Sequence, residues 1–172
     1  MLRLAKAFWD IALWRRSPAH LPASVFLLGL VAAAVAFLEV LGALLPPGPS
    51  DRILIRVVLS VGLPLGFAWV VLSIARHGQR FLQTGSALLG VAVLAELVMY
   101  PLASLLSIVG SDRPAAAVPL GLLLFMGLIW YLLACANIWR AALDSGLGLG
   151  LAISVGYLLL SMVLEQQFLP GA

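Results

Sequence analysis

The chain has 172 residues, 63% of them hydrophobic and 10% charged, with a formal net charge of +3. A mean hydropathy of +1.14 leaves too little polar surface to cover a water-soluble domain of this length. Lysine and arginine flanking membrane spans account for the basic balance, so no nucleic-acid partner is expected.

Residues 1 to 14 place Leu4, Ala5, Phe8, Trp9, Ile11 and Ala12 on one helical face and Arg3, Lys6 and Asp10 on the other. The pattern predicts an amphipathic helix over 1–16, lying at the membrane interface or packed on the protein's own spans. Its candidate anchor is Arg3, Lys6, Phe8, Trp9, Arg15 and Arg16. Asp10, Arg15, Arg16 and His20 fall where the short apolar core of a signal peptide would be required, so none is expected to be cleaved.

Residues 17–172 then read as one membrane domain. Apolar runs over about 22–45, 53–75, 84–109, 118–139 and 146–164 each match the roughly 20 residues that a helix needs to cross hydrocarbon. The run Pro46-Pro47-Gly48-Pro49-Ser50-Asp51 closes the first, and Ser50 and Asp51 are candidate caps for the second. Pro64 predicts a bend in the second span, and Pro101 a kink or an early end in the third. Trp130, Tyr131 and Trp139 are expected near the headgroups at the end of the fourth. Cys135 is read as a packing residue, since a lone cysteine makes no intramolecular disulfide and no thiolate metal cluster.

Five spans sort the basic residues. Arg3, Lys6, Arg15, Arg16, Arg76, Arg80 and Arg140 fall on one side, whereas Arg52 and Arg113 lie in loops on the other and Arg56 just inside the second span. Short cytoplasmic segments collect lysine and arginine, which predicts a multi-pass membrane protein with its amino terminus cytoplasmic and its carboxyl terminus outside.

Glu39, Arg56 and Glu96 are the candidate intramembrane polar residues, each costing roughly 2.5 to 3.5 kcal/mol near a bilayer centre on insertion scales. Glu39 and Arg56 flank the first hairpin at similar depth, which predicts an ion pair. Glu96 sits near mid-span with no evident partner. Gly62 with Gly66, and Gly146 with Gly150, give small-xxx-small spacing, read as internal packing. His20 and His77 are the histidines, and the chain contains no HExxH, glycine-rich phosphate loop or GxSxG. No catalytic residue, metal site or cofactor is therefore expected.

The stretch Gly78-Gln79-Arg80-Phe81-Leu82-Gln83-Thr84, Pro101 in the following run, and Trp139-Arg140-Ala141-Ala142-Leu143 before the last span resemble the Yip family of five-span, Ypt-interacting membrane proteins over about residues 53 to 164. The resemblance is to a compact bacterial member and implies a five-span architecture in the bacterial inner membrane, with the carboxyl terminus then periplasmic and no reaction attached. Function is expected to be that of a non-enzymatic accessory or organising subunit that binds membrane lipid and other membrane proteins, or a further copy of itself. The alternative is a small proton-coupled transporter or channel using Glu96. Against it, Ser60, Ser73, Ser104, Ser107 and Asn137 read as few and scattered.

Overall fold

The computed structural model describes residues 2–15, 18, 21–44, 52–112 and 114–169, with side chains for all of these except 2–5, 44, 110–112 and 114–116. Arg16, His20, the turn from Pro46 to Asp51 with its two candidate caps, Arg113 and the side chain of Arg3 lie outside the described residues. The fold is all-α. Its helices are α1 (Leu2–Ala12), α2 (Val25–Leu44), α3 (Ile53–Val57), α4 (Leu63–Ile74), α5 (Phe81–Asp112), α6 (Pro114–Ala142) and α7 (Leu147–Phe168).

Among the described residues, five segments are long and apolar enough to cross a membrane: α2, α3 joined to α4, α5, α6 and α7. The second span is continuous but irregular, because a π-helical turn over Val58–Gly62 joins α3 to α4. Pro64, in the first turn of α4, supplies the reason. Its ring has no N–H and clashes with the carbonyl one turn back, and a wider turn removes that clash. The expected disturbance at Pro64 thus takes the form of a π turn. Pro101 does not end its span early, since α5 runs on for 32 residues with the proline inside it. At about 1.5 Å per residue, α5 is some 48 Å long against a hydrocarbon core of about 30 Å, so it tilts or extends past that core.

α5 is the central helix, packed on α1, α2, α4 and α6, while α7 lies against α6 and α4. The apolar core is concentrated at the end where α1 sits. Phe8, Ile11 and Ala12 are buried there with Leu72, Ala87, Leu89, Ile138 and Trp139. Of the two placements open to α1, its Phe8 face is therefore packed on the protein's own spans. Phe8, at 7% exposure, is not available to lipid, whereas Lys6, Trp9 and Arg15 are exposed. Gly90 explains the fit, because a Cβ there would run into the Phe8 ring.

The loops at this end are tied together by Arg80. Its guanidinium donates to the carbonyls of Ala141 and Ala142 at 3.1 and 3.0 Å and pairs with Asp144 at 2.7 Å. Arg80 thereby satisfies carbonyls at the end of α6 that have no partner within the helix. Gln83 donates to the Leu21 carbonyl at 2.9 Å, fixing the entry to α2 at the same end. At the other end Arg52 donates to the Phe168 carbonyl at 2.8 Å. The two ends thus group the loops as the basic residues sort them.

Trp139 departs from the headgroup position expected of it. It is 2% exposed and its ring meets Phe67 edge-on at 5.9 Å. Burial of so large a side chain contributes more at the α1 end of the core than an interfacial position would. Gly150 packs internally as expected, since a Cβ there would strike the Ala136 carbonyl, but Gly66 and Gly146 face open space.

This packing has two testable consequences. Gly90→Ala should force the Phe8 ring out of its place and destabilise the fold by about 1–3 kcal/mol, read from thermal unfolding in detergent, with proteolysis near α1 accelerated. Asp144 is held below the usual carboxylate range by the hydrogen bond from Arg80, so its link contributes in full above that range and is lost as pH falls through the lowered value. Arg80→Met should accordingly lower the unfolding temperature at neutral pH, and its deficit relative to the unaltered protein should shrink on acidification.

Candidate functional site

The half of the bundle away from α1 holds a partly open cavity of about 400 Å3. Glu39 of α2, Arg56 of α3, and Glu96 of α5 all line it. Glu165 of α7 lines it too, and with it every glutamate in the chain is present. So do Tyr100, Tyr131 and Tyr157, which are all of the tyrosines. The remaining wall is largely aliphatic, from residues such as Leu63, Leu88, Leu128 and Leu158.

Helical periodicity produces this convergence. Arg56 and Ser60 are four residues apart, as are Glu96 and Tyr100, and Tyr157, Ser161 and Glu165 continue the same spacing along α7. Residues four apart share a face, so α3 with its π turn, α5 and α7 each turn a polar stripe inward within an otherwise apolar span. α2 contributes through Gly42. A Cβ there would lie 3.1 Å from the Tyr100 ring, so glycine lets that ring sit against α2, where its hydroxyl lies beside the Glu39 carboxylate.

The expected ion pair is corrected here. Glu39 and Arg56 share the cavity, but no ion pair joins them in the structure: the Glu39 carboxylate faces Tyr100, and the buried Arg56 Nε has no hydrogen-bond partner. The arginine's reach across a cavity, rather than across a tight hairpin, separates the two charges. Glu96 lines the same cavity as Glu39, a second carboxyl and no partner for its charge. Glu96 Oε2 is itself buried without a hydrogen-bond partner. Two residues of the cavity wall, Glu96 and Arg56, thus each hold a buried polar atom without a partner.

Behind the cavity lies a void of about 20 Å3, room for roughly one water. Tyr131 and Tyr157, with Pro64, Leu88 and Leu158, line both spaces, so they form the partition between them. Cys135, Ser154 and Trp139 lie on the far side, toward the α1 end. Cys135 is buried, with its thiol beside the Tyr131 hydroxyl, in keeping with a packing role. Phe67 braces the partition, its ring 5.4 Å from that of Tyr157.

Sequence reasoning missed Glu165, Tyr131 and Tyr157 as members of the site. The four-residue spacing of Tyr157, Ser161 and Glu165 is the signal that would have found two of them. Tyr131, beside Trp130, looks like an interfacial aromatic until α6 is placed against α5. His77 stays outside the cavity, its Nδ1 2.7 Å from the Ala75 carbonyl and its Nε2 3.9 Å from Asp144. Among the described residues, no group of histidine, cysteine and carboxylate side chains is placed to hold a metal ion. No family model, curated protein or solved structure matches the chain.

Cys135, the single cysteine of the chain, reports on the partition. In the unaltered protein its thiol should react slowly with a small water-soluble maleimide. Tyr157→Ala, which opens the wall between cavity and void, should accelerate labelling severalfold, as followed by mass shift. Equal rates would mean that Tyr157 does not shield the thiol.

Proposed function

We propose that the protein is a small non-enzymatic transporter, and that the cavity is its solute site, with Glu96 as the carboxyl that couples solute to proton. The convergence of every glutamate and every tyrosine on one intramembrane space carries this reading. Ionisable side chains in a span are costly and are typically gathered where they line a substrate or proton path. The objection that polar groups are scattered is met by the third dimension: Ser60 and Ser161 join the carboxyls and phenols on one wall or another. A cavity of this size falls within the usual range for small-molecule sites, about 300–1,000 Å3.

In this reading the protein sits in a bacterial inner membrane with its amino terminus in the cytoplasm, the α1 end faces inward, and the cavity lies in the outer half. The likeness to Yip proteins concerns architecture and leaves the solute open. A second reading, an accessory subunit that docks laterally on another membrane protein or on a second copy, has the flank of α7 in its favour, where Gly148 and Gly156 face open space.

Proteoliposomes with an imposed pH gradient test the first reading. When supplied with charge-fractionated solutes from the native cells, they should dissipate the gradient faster than protein-free vesicles, and Glu96→Gln should return the rate to the vesicle background with expression and folding intact. A Glu96→Gln protein that carries the same pH-driven flux sinks the coupling role. If no fraction elicits flux and the protein leaves its native membrane with a stoichiometric partner, the accessory reading takes its place.

A further inference from the structure

Resting on the reading of the cavity as a solute site, we infer that its ligand is a lipophilic ammonium ion: an apolar body carrying a cationic nitrogen with at least one N–H to donate. Three glutamates, Glu39, Glu96 and the exposed Glu165, line the cavity of about 400 Å3 with a single arginine, Arg56. An excess of carboxyl over guanidinium groups around one partly open space favours positive charge there. The rings of Tyr100, Tyr131 and Tyr157 add to that preference, since aromatic faces attract cations.

The demand for an N–H comes from Glu96. Its Oε2 is buried and lacks a donor from the chain, and a turn of the side chain toward the cavity that Glu96 lines brings this unpaired acceptor to a ligand N–H. A primary or secondary ammonium supplies that donor, whereas a quaternary one does not. The body is apolar because the rest of the wall is: Leu63, Leu88, Leu128 and Leu158 offer nothing for a hydrophilic solute to bond. A metal cation is disfavoured by geometry, because the carboxylates stand on different helices around the cavity and do not form a metal-holding group among the described residues.

The titratable and charged residues that line the cavity with Glu96 are Glu39 from α2, Arg56 from α3, Tyr131 from α6, and Tyr157 and Glu165 from α7, with Tyr100 on its own helix. Protons and the ammonium ion compete for the same carboxyls in such a ring. Acidification therefore weakens binding, and arrival of the ligand releases protons.

The test is equilibrium binding to the full chain in discs of zwitterionic lipid, with empty discs subtracted, using three fluorescent probes of one body and different heads: pyrenebutylammonium, pyrenebutanol and pyrenebutanoate. The ammonium should bind at least about tenfold more tightly than either other probe, a factor equivalent to about 1.4 kcal/mol. Glu96→Gln should remove most of that preference, and an unchanged helical circular-dichroism spectrum and unfolding temperature in the same discs show that the variant is folded. Arg56→Gln, which deletes the opposing charge, should tighten the ammonium, and the direction of this change tests the assignment independently if Glu96→Gln does not fold. Equal affinity for the three probes, no binding of any, or preference for the carboxylate overturns the assignment. If the ammonium fails to bind while pH-driven flux of some other solute is found, the ligand class is wrong and transport stands. If it binds selectively and no solute is carried, the class stands and transport falls.

Discussion

The constraint on which the structure turns is the cost of placing a carboxyl group in hydrocarbon. Each of Glu39, Glu96 and Glu165 belongs to a helix that is apolar enough to span a membrane, and no single helix offers its own glutamate adequate polar company. Facing lipid, each would incur roughly 2.5 to 3.5 kcal/mol near the bilayer centre. Turning all of them toward one shared space, with Arg56 and the phenols, lowers that cost for every member at once. The rotation of α2, α5 and α7 about their own axes is set by this requirement as much as by apolar packing, which discriminates poorly between faces when lipid tails are as apolar as leucine.

Gathering the glutamates, Arg56 and the tyrosines in one half of the bundle leaves the other half to hold it together. There most buried side chains are apolar, including Ala87, Leu89, Ala134 and Ile138, with the uncharged polar Thr84, Ser86, Asn137 and Ser154 and the carboxylate of Asp10 buried among them, and helices approach closely where Gly90 admits Phe8 and Gly150 meets the Ala136 carbonyl. α1 belongs to this half. Its buried face closes the core from below, while Trp9 and Trp14 stay on the outside. Arg80 completes the arrangement by joining the start of α5 to the last carbonyls of α6. The result is a rigid end and a hollow end, divided by Tyr131 and Tyr157. The π turn of the second span lies on the hollow side of that division, with Ser60 and Pro64 in the cavity wall.

Much of the fold was legible in the sequence because it depends on one-dimensional properties. Hydropathy located five spans, and their ends differ from the helices by a few residues; the first run, read as 22–45, is helical over Val25–Leu44. The grouping of loops by charge also survived, with Arg80 meeting the end of α6 and Arg52 the end of α7. What was not legible is rotation. Whether Trp139 faces headgroups or core, and whether Tyr131 faces lipid or cavity, depends on which neighbour its helix finds, and apolar residues all around a span leave no moment to decide it. The same limit hid Glu165, whose position next to Gln166 and Gln167 reads as a polar helix end. Only its spacing from Tyr157 and Ser161 places it on the inward stripe.

That stripe shows why a chain with so few polar residues can still carry a site. A soluble protein distributes hydrogen-bonding groups over a large surface, and their mere presence says little. Here the background is apolar, and each polar side chain within a span has been retained against an insertion cost. When such residues recur at four-residue spacing on three spans and meet around one cavity, scarcity becomes a measure of specificity. Two of them, Glu96 and Arg56, still have buried atoms without hydrogen-bond partners in the assembled fold. A cavity kept only for packing would gain by closing over those atoms or by replacing them with leucine, because paired buried charges are often no more stable than apolar side chains of the same volume. The unsatisfied acceptor of Glu96 in the cavity wall is what the proposed ligand would pair once that side chain turns toward it.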